Sequence, residues 1–526
     1  MIVNAKRIPA SGISDLDICI IGAGAAGITL ALELESTGQR IAVIEAGGLE
    51  YDAASQRLFQ GETSGDRYPP LRDTRLSALG GSTGVWAGYC RPLEAIDFES
   101  RDGSVGWPFG RNTLDPFYRR AHEICDLGAF EYDADYWQSR LRHPLLLAGN
   151  QGARNLIFQV NALHFGARYR QRLEVSRNIE LVLRAPVMQL HMSPARDRVE
   201  RITVRSLDGH GFEVHARRFV LAVGGIENAR LLLLSGGSPE QAPGNGSGLV
   251  GRYFTDHPFV DPGYLVLTGG ALRLDHYFPQ TAGAEGSSAF VRGALSLDPA
   301  VLERDHLQGG AVLFYPRYEA HEAFATADVK DFLEAISKFR GKSVPGDAGL
   351  RLARAMRAPH QVAIAMLRKL LVADGPARRW RLRAMFETES QYDNRVTLGR
   401  ERDELGRPQA RVEWRLSERD LRSMRLFMRR LDESFRRASL GHIELGFDDD
   451  LSGWRGAAIG GKHHMGTTRM HRDATQGVVD ADALVHGTSN LFIAGSSVFP
   501  GGGFANPTLT IVALAIRLAD HLKQLC

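Results

Sequence analysis

Apolar and polar positions change rhythm sharply in one early stretch, DLDICIIGAGAAGITLALELESTGQRIAVIEAGG. Ile18 to Ile21 form an apolar run too short for a helix and stop at a glycine, which predicts a buried strand. Past the glycines, Ile28, Leu30, Ala31 and Leu34 mark the apolar face of a predicted helix, and Ile41 to Glu45 predict a second strand. Together the three read as a βαβ unit. The same change of period recurs twice. Phe219 to Val223 predict a strand returning to the first lobe, with a turn at Gly224 and Gly225 and a helix from about Glu227. Leu491 to Ala494 predict a short buried strand ended by Gly495. After the loop SSVFPGGGFA a helix begins, with Asn506 as N-cap, Pro507 at its first position, and Leu509, Ile511, Val512, Ile516 and Leu518 on its buried side.

A chain of 526 residues exceeds one core and predicts two or more lobes. Its 44% hydrophobic and 24% charged residues are those of a soluble globular protein. Lys plus Arg number 64 against 61 Asp plus Glu, and a net charge of +3 gives no electrostatic argument for nucleic acid. Cys19, Cys90, Cys125 and Cys526 are scattered without a Cys-x-x-Cys pair, so no iron–sulfur cluster, zinc knuckle or attached haem is expected, and no metal site. The N-terminus lacks an apolar run after its basic residues, and no stretch approaches the ~20 apolar residues of a membrane span, so a cytoplasmic protein with reduced thiols is expected.

The glycines of the βαβ unit have separate tasks. Gly22 permits the tight turn, Gly24 lets the backbone approach a pyrophosphate, and Gly27 lets the helix pack on the strand, while the helix N-terminus offers free amides to phosphate. Glu45 falls 21 residues after Gly24, where a carboxylate accepts from a ribose diol and repels a 2′-phosphate, so FAD or NAD is favoured over NADP. Ala26 and Ala46 flank these positions as further contacts. A second glycine-rich stretch, RLSALGGSTGVWAGYCRPL, is either a surface turn cluster or a loop for close approach to a flat ligand, with Gly81, Ser82, Val85 and Trp86 as candidates. The dipole at the start of the last helix favours an anion such as reduced flavin, near Gly495, Pro507 and Thr508. Val187 and Ala222 complete the expected cofactor contacts.

The order HHMGTTRM, GVVDADALVHG, NLFIAGSSVFP and ANPTLT resembles the glucose–methanol–choline (GMC) oxidoreductase family over nearly the whole chain, loosely across residues 262 to 455. The resemblance implies an α/β fold, α+β overall, with a Rossmann-like FAD-binding lobe from residues 1–90, 180–261 and 456–526. A connecting region would span 91–179, and a sheet-containing substrate lobe 262–455. It also implies that His463, three residues before Gly466, is the catalytic base, and that Asn506, 43 residues on, is the second active-site position. A neutral imidazole suits removal of a hydroxyl proton as hydride leaves the same carbon. Asn506 is open to a pure capping role as well, and His464 is expected to be supporting or structural. Many relatives tether the flavin through a histidine where this chain has Val85, so FAD is expected to be bound non-covalently.

The expected reaction is oxidation of a CH–OH group in a sugar, glycoside or other polyol-like alcohol, passed to oxygen or another acceptor. A flavin-containing lyase of the same fold and a non-catalytic flavin or partner-binding module are the alternatives. In the substrate lobe, FETESQYDNRVTLGRERDELGRPQARVEWRLSERD alternates and turns at ELGRP, predicting antiparallel strands as a wall over the flavin. Glu387, Glu389 and Gln391 would share one face, either solvated or turned to sugar hydroxyls. Residues 351 to 383 are basic and partly amphipathic, predicting a helical surface excursion, with peripheral membrane or partner contact as a second reading.

Overall fold

The computed structural model describes residues 1–101, 103–141, 145–147, 152–268, 277–278, 280–281, 289–316 and 379–525. The βαβ unit forms as expected, with a strand at Ile13–Ile21, a helix at Ala25–Leu34 and a strand at Ile41–Ile44. Gly22 turns at φ +106°. At Gly27 a Cβ would lie 1.9 Å from the Gly22 carbonyl oxygen, so only glycine lets the helix sit this close to the turn.

These strands belong to an eight-stranded sheet. Ile2–Asn4, Ile179–Leu183, Ile41–Ile44, Ile13–Ile21 and Gly211–Leu221 run parallel in that order, and Leu491–Ile493 also pairs parallel with Gly211–Leu221. Val199–Arg205 and Val187–Met192 continue it antiparallel. The helix after Gly211–Leu221 spans Gly224–Leu234 and so starts three residues before the expected Glu227. Its first turn is closed by Asn228, whose Oδ1 accepts from the Val223 amide at 3.0 Å and whose Nδ2 donates to Ser497 Oγ at 2.9 Å. The last helix, Thr508–Gln524, packs on the helices Ala25–Leu34 and Arg111–Ile124. Pro507 takes the N-cap position that the sequence suggested for Asn506, and no side chain caps it.

A second, nine-stranded sheet is antiparallel throughout. Its main path runs Gly441–Leu445, Pro258–Leu267, Arg379–Phe386, Gly310–Pro316, Phe290–Leu297, Ala153–Val160 and Tyr89–Cys90. Tyr89–Cys90 directly follows the second glycine loop, so loop and sheet share one piece of chain. The strands expected around ELGRP exist, at Arg395–Arg402 and Pro408–Trp414, but they join Gly61–Gly65 in a separate three-stranded sheet and are not the wall over the central cavity. Alternation alone does not say which sheet a hairpin enters.

Glu387, Glu389 and Gln391 lie beyond the strand Arg379–Phe386 and form neither a solvated nor a ligand-facing sheet face. Glu387 accepts from the Gly309 amide at 2.9 Å, the Glu389 amide donates to Asp420, and Gln391 donates to the Arg415 carbonyl. Of the basic stretch 351–383, residues 351–378 lie outside the described residues and 379–383 are strand. Among the described residues no helix is long and apolar enough to cross a membrane, and Cys19, Cys90 and Cys125 are buried free thiols.

Candidate active site

One cavity of about 520 Å³ runs between the two large sheets. Gly22, Gly24 and Ala26 line it from the βαβ turn, Glu45 and Ala46 from the second strand, and Val187 and Ala222 from the return strands. Gly81, Ser82, Val85 and Trp86 reach it from the second glycine loop, and Gly495, Asn506, Pro507 and Thr508 from the chain end. Gly27 stands apart, packed beneath Gly22. The two glycine loops meet: the Gly80 amide donates to the Ala23 carbonyl at 2.8 Å, and a Cβ on Gly81 would lie 3.0 Å from Gly24 Cα.

Glu45 is buried and accepts from the amides of Ala23 and Gly47, both at 2.8 Å. Burial pushes its carboxyl up, against the pull of those two bonds. The helices Ala25–Leu34 and Thr508–Gln524 both begin at this cavity without a side-chain cap, which leaves first-turn amides free for an anion. Two uncapped helix starts, a buried carboxylate and a flat glycine cradle are the donor and acceptor set of a dinucleotide such as FAD, and these residues fit it. Val85 is 68% exposed and has no nucleophilic atom.

His463 lines the same cavity, half-buried. Its Nε2 stands 3.2 Å from Asn506 Nδ2, and its Nδ1 stands 3.0 Å from His257 Nδ1. With the Asn506 amide donating to Nε2, the remaining proton sits on Nδ1 and is donated to His257; this tautomer follows from the network. Burial, then His257 and His464, holds the His463 imidazole well below its ordinary range, so it is neutral near pH 7. His464 also lines the cavity but is buried between the rings of Tyr68 and Phe254, and its Nε2 has no partner among the described residues.

The dipeptide Asp256–His257, which sequence reasoning missed, holds His463 at two points. Lys462 adopts φ +71°, and this left-handed turn aims successive amides at one carboxylate. Asp256 accepts from the Lys462 amide at 2.9 Å and the His463 amide at 2.7 Å, and from the Tyr68 phenol. The opposite wall of the cavity is the nine-stranded sheet, through Tyr89, Phe158, Phe259, Leu313, Tyr315 and Arg383. An Asp-His pair carries no spacing signal linking it to a residue 206 positions away.

Comparisons with known proteins agree with this arrangement. Residues 17–337 match the FAD dependent oxidoreductase family, and residues 390–515 match the GMC oxidoreductase C-terminal family. The chain is 26% identical to 6'''-hydroxyparomomycin C oxidase of Streptomyces lividus, over 96% of this chain and 92% of that protein. It is 24% identical to 2-methyl-1,2-propanediol dehydrogenase of Mycolicibacterium austroafricanum, over 97% and 95%. The crystal structure of pyridoxine 4-oxidase from Mesorbium loti superposes with a TM-score of 0.58 at 18% identity, over 96% of this chain and 99% of that one, which speaks for the fold. Two sheets, two glycine loops and both family matches converge on one conclusion: the chain belongs to the FAD dependent oxidoreductase family and carries a GMC oxidoreductase domain at residues 390–515.

Proposed function

We propose that this protein oxidises a CH–OH group of a sugar, glycoside or other polyol-like alcohol, with His463 as base, Asn506 orienting the hydroxyl, and FAD held without a covalent bond. The observation that carries this reading is the 3.2 Å pair of His463 Nε2 and Asn506 Nδ2 inside the cavity that also collects both glycine loops. Bound FAD would supply the hydride acceptor, flavin N5. The Nε2 lone pair of neutral His463 accepts from Asn506 at rest and takes the hydroxyl proton once the arriving hydroxyl displaces that amide. Asn506 shares that nitrogen's side of the ring and holds the hydroxyl in register. Asp256, pushed up to about 6 by burial against its hydrogen bonds, is mostly ionised at pH 7 and puts negative charge beside the residue that receives the proton. The eight-stranded sheet would carry the cofactor, and the nine-stranded sheet would cover the substrate.

Relatives named for oxidation or dehydrogenation of hydroxyl compounds support this class of reaction. Anaerobic mixing with sugars, glycosides and simple alcohols tests it, with loss of flavin colour as the expected result. If no alcohol bleaches the flavin, a lyase or a non-catalytic module takes its place. Admission of air afterwards tells whether oxygen serves as acceptor. Acid precipitation should leave FAD in the supernatant, and flavin on the polypeptide would refute the untethered assignment.

A further inference from the structure

Arg292, in the strand Phe290–Leu297, is 4% exposed. Its Nε donates to the Tyr277 carbonyl at 3.1 Å and its Nη2 to the Phe314 carbonyl at 2.8 Å. Its Nη1 donates to the Tyr89 phenol oxygen and stands 3.5 Å from the Tyr315 phenol oxygen, with the guanidinium 4.6 Å from the Tyr315 ring. No carboxylate of the described residues pairs with it. Arg383, on the same wall, differs: Asp261 takes its Nε at 2.8 Å and its Nη2 at 3.0 Å. Arg383 thus shares the carboxylate of Asp261 with Arg381, whereas the interior Arg292 has no carboxylate partner among the described residues. A buried, unpaired charge is costly, and an anion arriving nearby recovers part of that cost.

Tyr89 and Tyr315 separate this cation from the cavity, and both line it. Each phenol oxygen faces Arg292 as an acceptor, so its own hydrogen must turn elsewhere. The two phenols interact, and that contact consumes at most one of the two hydrogens. Among the described residues no other acceptor takes the second, so at least one hydrogen is left for a ligand. Burial, followed by the influence of Arg292 and Tyr315, leaves the Tyr89 phenol pushed up to about 12, so it stays protonated at any working pH.

We propose that Tyr89 and Tyr315, backed by Arg292, form a subsite for a carboxylate, so that the alcohol oxidised here carries an acidic group, as in a uronate or other hydroxy acid. The tyrosines touch the ligand, and Arg292 acts through them by fixing their hydrogens outward and supplying the field. This rests on the oxidation proposed above for the choice of substrate, but binding can be read without turnover.

The test titrates the oxidised holoenzyme by calorimetry with benzoate and D-glucuronate, and with their uncharged counterparts benzamide and D-glucose. Each carboxylate should bind at least ten-fold more tightly than its counterpart, as expected for a hydrogen bond to a charged group. The preference should shrink several-fold in Tyr89→Phe and Tyr315→Phe and vanish in Arg292→Met. Because Arg292→Met empties a buried donor set and risks misfolding, the two Phe variants decide the matter alone if it does. Equal binding within both pairs, or a preference untouched by both Phe variants, overturns the subsite. If carboxylate preference holds while neither D-glucuronate nor any other alcohol bleaches the flavin, the subsite stands and the oxidation falls. If D-glucose bleaches the flavin and no preference exists, oxidation stands and the subsite falls.

Discussion

The glycine-loop end and the His463 end of the cavity are built by opposite means. At the glycine-loop end the lining is backbone: free amides at two helix starts, a glycine turn at φ +106°, and one carboxylate that itself rests on backbone amides. At the other end side chains meet across the chain, His463 with His257 and Asn506. Backbone sites tolerate side-chain change wherever glycine is kept. Side-chain sites fail one atom at a time.

That contrast can be broken most sharply at His463. His463→Ala should keep FAD bound and slow flavin reduction by about 10²–10⁴-fold in stopped-flow measurements, the usual worth of a general base. His464→Ala should cost far less, and a larger loss there would move the base by one residue. Next in size, Glu45→Ala should weaken FAD binding ten-fold or more, as measured by flavin release on dilution. Because Glu45 also accepts from Ala23 and Gly47, the variant should lower the melting temperature too. Glu45→Gln should recover part of both, and unchanged affinity in either variant would remove Glu45 from the site.

A smaller effect is expected at His257→Phe, which leaves His463 Nδ1 without its acceptor. Reduction should slow by about ten-fold, with FAD affinity unchanged. A rate equal to wild type would show that the tautomer needs no such partner. The smallest effect concerns pH. Burial holds His257 at about 4, and burial with Arg75 and Lys462 holds His464 at about 3, whereas both take up a proton near 6.5 once unfolded. Between 6.5 and these lower values the unfolded state binds more protons, so their contribution to stability is present above 6.5 and lost as pH falls. Asp256, pushed up to about 6, works in the opposite sense between about 4 and 6. His464→Phe keeps the ring contacts and should flatten the acid fall in denaturant midpoint by one proton's share, about 1.4 kcal/mol per pH unit. An unchanged slope would mean that His464 titrates freely in the fold.

Legibility followed the same division. The βαβ unit was readable because the turn, the helix start and Glu45 lie within 24 residues of one another, Gly22 to Glu45, where periodicity and spacing act locally. His463 and Asn506 emerged only through resemblance to a family, since nothing local distinguishes His463 from His464. Asp256 and His257 were silent because their meaning depends on strand Pro258–Leu267 carrying them beneath a loop 206 residues later. The hairpin around ELGRP was seen and assigned to the wrong wall, because alternation reports that one face is buried and not what buries it. The acidic run from Glu387 to Gln391 imitated a strand although its side chains and amides are committed to Gly309, Asp420 and Arg415.

The short strand Tyr89–Cys90 continues directly from the loop that meets the βαβ turn. Whatever steadies Gly81 to Trp86 also steadies Tyr89 four residues beyond the loop's Val85, in the sheet that walls the cavity. Thermodynamic reciprocity then applies: if FAD raises affinity for an alcohol by ordering this segment, the alcohol must raise affinity for FAD by the same factor. Saturating substrate analogue should therefore tighten FAD binding at equilibrium, which makes cofactor affinity a measure of how well a candidate substrate fits.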